Sequence, residues 1–222
     1  MLKYVLSLLF LINSCISDAQ TKMVVEQRSN GNAYYGGAST VLQSFSEVPV
    51  ATQVTVLRFL KETIGSLSAK ATFSHGQVIE LFENSPSSNT ITVDQPGRTK
   101  YDLNFLLQDT SIGIKSYYLR VRVDEFNQIK SINWPRKNYN NPTAFKPLGQ
   151  VLAFALAEAS KNALSQEDYQ VGFKYSEKHD KLCWVFEFKA ERGPKLASFN
   201  TIAIDWLELA VVEKGLMFTL IK

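Results

Sequence analysis

The chain has 222 residues, of which 45% are hydrophobic and 12% aromatic, with a formal charge of +3. So small a positive excess, spread along the chain, serves solubility; a nucleic-acid partner would call for clustered Lys and Arg, and none is expected. Cysteine occurs only at Cys15 and Cys183, which excludes a disulfide-stapled scaffold and leaves stability to a packed core.

Met1-Leu2-Lys3 supplies a positive start, Tyr4 to Ile12 an apolar run, and Asn13 to Ala19 a small, polar close. That order is the pattern of a secretory signal peptide over residues 1–19. The run is far short of the roughly 20 apolar residues of a bilayer-crossing helix. No transmembrane segment is expected in the mature chain, which is read as exported, periplasmic or extracellular. Ser17-Asp18-Ala19 is an ordinary cleavage site that would leave Gln20 first. Ile12-Asn13-Ser14-Cys15 offers the competing reading, a lipobox with a lipid anchor on Cys15, in which Asn13 fits badly.

Residues 20–48 read as a loosely attached arm punctuated by Ser29-Asn30-Gly31-Asn32 and Gly36-Gly37. Pro49 then suits a first helical turn. Val50, Val54, Leu57 and Ile64 recur at helical spacing, flanked by Leu60, and Gly65 is placed to end the helix. Ala69 to Ser74 and Gln77 to Phe82 read as strands of a hairpin turning at Ser74-His75-Gly76. Residues 83–98 are rich in Asn, Ser, Pro and Gly and read as a loop. Strands follow at Tyr101–Leu106, Tyr118–Val123 and Ile129–Trp134, with a turn at Asp124–Gln128 between the last two. After a bridge from Pro135 to Lys146, Leu148, Val151, Leu152, Ala155, Leu156 and Ala159 form the stripe of a second helix, broadened by Phe154. Strands resume at Tyr169–Tyr175, Leu182–Lys189, Asn200–Val212 and Met217–Ile221, with a turn at Ser176–Lys181.

Helix then strands thus occurs twice. Tyr118-x-x-Val121-x-Val123-Asp124 echoes Phe199-x-x-Ile202-x-Ile204-Asp205. The expected fold is α+β, in two tandem units (residues 49–146 and 147–222), each with one helix packed on an antiparallel sheet. The Ala-rich helix Leu148–Leu164, the aromatic strand Trp184-Val185-Phe186 and Ile202-Ala203-Ile204-Asp205 resemble the PepSY-type domains of exported bacterial proteins. The leader is similar to those of the Bacteroidetes group. The resemblance covers about a third of the chain. It implies a cystatin-like build and a binding or inhibitory role, often near peptidases.

Residues for chemistry are sparse. His75 and His179 fall in expected turns without a Cys or spaced carboxylate beside them, so no metal and no cofactor is expected. No Gly-x-Ser-x-Gly turn accompanies either His. Cys183 sits in a strand-like run with no base nearby, which marks a buried, inert thiol. Asp205 interrupts an apolar strand beside Trp206 and is the one candidate acid. Trp134, Arg136, Lys137 and Tyr139, in a proline-flanked bridge, are the candidate binding residues, because aromatics and Arg supply most contact energy at recognition sites. The expectation is an exported, non-enzymatic protein with a protein or peptide partner. The alternatives are a secreted hydrolase using carboxylates on the sheet face, and an envelope structural protein or lipoprotein.

Overall fold

The computed structural model describes residues 25–26, 39–79, 98–192 and 196–220. The leader with Cys15, residues 27–38 of the arm, and the loop expected over 83–98 as far as residue 97 lie outside them. The described residues form two α-helices and two antiparallel sheets, an α+β fold. They divide into two units. One gathers Glu26–Asp109 and Lys115–Pro142, the other Thr143–Lys222 with Val25 and Thr110–Ile114, so that the first residues of two strands, Val25 and Ile114, fall outside the unit that holds the rest of each.

The first unit holds β1 (Val25–Glu26), β2 (Ser39–Leu42), α1 (Val50–Ile64), β3 (Ala71–Ile79), β4 (Thr99–Asp109), β5 (Ile114–Asp124) and β6 (Ile129–Ile132). The sheet runs β1-β5-β4-β3-β2, and β6 also pairs with β5. Leu103, Phe105 and Leu107 of β4 alternate inward, as do Leu119, Val121 and Val123 of β5, and Val56, Leu60 and Ile64 of α1 are buried with them. The second unit has α2 (Leu148–Lys161), then β7 (Tyr169–Ser176), β8 (Lys181–Arg192), β9 (Leu196–Asp205) and β10 (Val211–Leu220), in the sheet order β10-β9-β8-β7. Val151, Ala155 and Ala159 of α2 are buried, and so are Trp184, Phe186 and Phe188 of β8 and Ile202 and Ile204 of β9. The alanines keep the helix close to β8 and β9.

The repeat read in the sequence has a structural counterpart. Each helix starts from a proline of the same conformation, Pro49 (φ −53°, ψ 140°) and Pro147 (φ −54°, ψ 138°). Each is followed by four strands paired in chain order. The echoed aspartates, Asp124 and Asp205, both end the third strand of their meander and are 1% and 0% exposed.

Several local expectations are corrected. Ser74-His75-Gly76 is no turn: β3 runs straight through it, with its register on β4 shifted between Phe73 and His75. Gly76 is there because a Cβ would lie 3.0 Å from Leu103 Cδ2 and 3.2 Å from the Asp102 carbonyl oxygen, a close approach of backbones and not a bend. Conversely, the strand expected over Asn200–Val212 breaks after Asp205, and Leu209 takes the left-handed conformation (φ 55°) that a glycine would have advertised. The helix stripe is also displaced: Val50, Val54 and Leu57 are 74%, 59% and 52% exposed, while Thr52, Val56, Leu60, Thr63 and Ile64 face inward. Helix α2 ends at Lys161 because Asn162 leaves the helical path and Ala163 turns left-handed (φ 54°). The end of the arm is structured, since Ser39–Leu42 pairs with β3 and Phe45 packs on Phe73 and Phe105, each 5.4 Å away between ring centroids. Phe145 and Lys146 belong with the second unit. Phe145 stacks on Trp206 (4.3 Å, 22°), and Lys146 and Trp206 exchange two hydrogen bonds of 3.0 Å.

Candidate interaction surface

The bridge singled out in the sequence divides between core and surface. Trp134 and Tyr139 are 0% and 4% exposed. The Trp134 indole N–H donates to the Tyr139 carbonyl oxygen at 3.3 Å, and its ring meets Tyr117 edge-on at 5.9 Å. Both aromatics therefore complete the core of the first unit. Asn138 turns left-handed (φ 68°) between them. Arg136 and Lys137 stay outside, with Arg136 donating to the Lys130 carbonyl oxygen at 3.0 Å. The structure separates the aromatics from the cations.

Asp205 is likewise committed elsewhere. Its Oδ1 accepts from the Leu207 N–H at 2.8 Å, closing the turn, and its Oδ2 accepts from Lys181 Nζ, which also bonds Glu208. Partial burial opposes the charge on Lys181, but the hydrogen bonds to Asp205 and Glu208 outweigh it and hold its pKa up. A carboxylate tied to a cation and to a turn amide is poorly placed to exchange protons with a substrate. Cys183, on the neighbouring strand, is fully buried, and burial with the nearby Asp205 charge pushes its thiol up to about 11. Among the described residues no group of three His, Cys, Asp or Glu could hold a metal ion. His75 lies within β3, its Nδ1 3.1 Å from Ser74 Oγ, and His179 lies in the β7–β8 turn.

On the outer face of the first sheet, Asp102 (3% exposed) takes Arg120 Nε through both carboxylate oxygens, at 2.8 and 3.0 Å, with Arg122 Nε at 3.6 Å. The arginines alternate with Leu119, Val121 and Val123, and both lie against the buried carboxylate.

Among the edge strands, β10 is the one that carries two exposed large apolar side chains beyond its charged start. It pairs along its length with β9, from Val211–Ile204 to Leu220–Leu196, and no described strand pairs with its other edge. A strand edge presents a row of backbone N–H and C=O groups that another extended chain can take up. Leu216 and Phe218 project from one side of this strand and are 56% and 57% exposed. Lys214, on the same side, is held to α2 by Glu158 at 3.2 Å and Asn162 at 3.4 Å. Lys161 and Lys214 together lower the pKa of Glu158. On the other side, Glu213 reaches Lys174 of β7 at 3.6 Å, and Val212 packs on the buried row Cys183, Val185 and Ala203. Gly215 has no side chain beside Thr201, whose Oγ1 would lie 3.1 Å from a Cβ there. The devices that blunt an edge are confined to the start of β10, where Glu213, Lys214 and the shift of register between Val211 and Glu213 lie; from Gly215 to Leu220 the strand has no charge and no proline. The sequence marked a strand over Met217–Ile221, but edge position is a property of the topology.

No helix among the described residues is long and apolar enough to cross a membrane. No protein-family model matches the chain, no curated protein matches it, and no solved structure matches it.

Proposed function

We propose that this chain is an exported, non-enzymatic binding protein that takes a protein or peptide partner as an added strand along β10. The observation that carries the reading is the ten-residue edge of β10, which no described strand pairs on its outer side and which exposed Leu216 and Phe218 flank. Strand addition joins backbone hydrogen bonds, which give affinity, to alternate side chains, which give selectivity. The leader pattern of residues 1–19 supports export. The resemblance of the second half to PepSY-type domains supports a binding role, and α2 on a four-stranded sheet is the build it implies.

The test is affinity capture from the envelope extract with the chain from Gln20, beside the double variant Leu216→Lys/Phe218→Lys. Both positions are more than half exposed, so the variant keeps the wild-type circular dichroism spectrum. A specific protein retained by the wild type and lost by the variant is the expected result. A partner retained equally by both would remove β10 from the reading, and no partner at all would remove the binding role.

A further inference from the structure

We infer that the strand added along β10 is β10 of a second copy of this chain, antiparallel to the first about a two-fold axis through Leu216. The inference rests on the strand-addition reading above and names its occupant. Two identical strands related by a two-fold axis normal to the sheet must be centred on a residue, because residues directly opposite share a face. Only a few centres are available in β10, and the side chains discriminate among them.

An axis on Glu213 or on Lys214 sets like charges directly opposite, which destabilises a ladder. An axis on Gly215 puts Leu216 against Lys214 of the second copy and Glu213 against Met217, so that Val212 with Phe218 is its only apolar pairing and Leu216 is spent on a cation. An axis on Met217 pairs Leu216 with Phe218 on both sides, but it sets Lys214 against Leu220, leaves Val211–Glu213 beyond the ladder and so forfeits that end of the strand. The axis on Leu216 uses nearly the whole strand. It pairs Leu216 with Leu216, and Phe218 with Lys214 of the other copy, an aromatic face beside a cation on each side of the axis. On the reverse face it pairs Gly215 with Met217, giving a long flexible side chain the space the glycine leaves, and Glu213 with Thr219. Every charge faces something other than its own kind. Lys214 is already held in place by Glu158 and Asn162, so little further side-chain freedom is lost on pairing. A self-complementary edge of this kind joins the two four-stranded sheets into one continuous sheet, and the β10–β10 contact is isologous and closes at two.

Cysteine scanning of the chain from Gln20 tests the register. The background is clean because Cys183 is buried, with its thiol pushed up to about 11. Leu216→Cys places the two thiols opposite each other across the axis, about 5 Å apart at Cβ, so mild oxidation should give a covalent dimer. Phe218→Cys places its two copies about 14 Å apart and should stay monomeric on the same gel. Sedimentation of the unoxidised wild-type protein should give twice the chain mass, and Leu216→Lys should halve it without changing the circular dichroism spectrum. Cross-linking through Phe218→Cys and not Leu216→Cys would overturn the register. A wild-type chain that sediments as a monomer, with no Leu216→Cys dimer, would overturn the second copy as occupant. If capture then still finds a different protein that Leu216→Lys/Phe218→Lys loses, strand addition stands without self-pairing. If capture is also blank, both fall.

Discussion

At Gly65 the chain leaves α1 with φ +59°, and a Cβ on that residue would lie 1.8 Å from the Asn140 carbonyl oxygen. Strained conformation and steric overlap act together there, so Gly65→Ala should cost at least about 2 kcal/mol. Gly172→Ala is the control, since its Cβ would meet nothing nearer than 3.9 Å; chemical denaturation midpoints should separate the two variants clearly. This glycine was legible in the sequence as a helix stop. Gly76 was misread because a glycine that bends the chain and one that admits a neighbouring backbone look alike in one dimension. Lys181 raises a different residue-scale test. Its side chain is 27% exposed over an Asp205 side chain that is fully buried. Lys181→Met would strand that carboxylate without its cation and should lower stability by about 3 kcal/mol at neutral pH. The Lys181 pKa is raised on folding from 10.5, so its contribution is complete below pH 10.5 and is lost as pH rises through the higher folded value. The gap between wild type and variant in urea titrations should therefore hold from neutral pH to pH 10.5 and shrink above it.

At the scale of elements, both helices were visible from their prolines and apolar spacing, yet α1 shows how period and orientation are separate pieces of information. Val50, Val54 and Leu57 satisfy helical spacing as well as Val56, Leu60 and Ile64 do, and only packing shows which face turns inward. Thr52 is drawn in because its hydroxyl donates to Asn127 Oδ1 in the β5–β6 turn, a partner 75 residues away that no local pattern could reveal. Leu60→Ala should cost about 2–5 kcal/mol, whereas Val54→Lys and Leu57→Lys should each stay within about 0.5 kcal/mol of wild type. Equal losses at Val54 and Leu60 in thermal unfolding would reverse the assigned face. The same limit explains the bridge. Trp134 and Tyr139 have the composition of a recognition loop, and the indole N–H reaching the Tyr139 carbonyl is what makes them core. It also explains β10, where the strand was partly seen, while its place at the edge depends on the pairing of three others.

At the scale of the whole chain, the repeat rests on more than alternating apolar residues, because the two echoed aspartates do the same mechanical work. Asp124 Oδ1 accepts from the N–H groups of Phe126 at 2.9 Å and Gln128 at 2.8 Å, and its own N–H donates to the Gln128 carbonyl oxygen. Asp205 Oδ1 accepts from Leu207, and its N–H donates to the Ala210 carbonyl oxygen. In each turn one residue without a β-branched side chain, Asn127 (φ 63°) or Leu209 (φ 55°), adopts the left-handed conformation. A short aspartate at the strand end thus sets the hairpin by satisfying turn amides that would otherwise be buried or strained. The motif could be found in the sequence because the apolar residues before it are fixed by the inward face of the strand. The turn after Asp124 was legible as well, whereas the one after Asp205, with no glycine to mark it, reads as continuous strand. Two consequences follow for exchange with deuterated water. Asp124→Ala should speed exchange of the Phe126 and Gln128 amides, lower stability by about 2 kcal/mol, and leave the Leu207 amide at its wild-type rate. Asp205→Ala should do the reverse, and the loss should be greater because Lys181, 27% exposed, is left with only the exposed Glu208 as its partner. Adding Lys181→Met to Asp205→Ala should then recover part of that loss, since the double variant removes both charges together. Recovery would identify the second unit's turn as the first unit's turn with an ion pair added; no recovery would mean that the turn amide alone accounts for the need for Asp205.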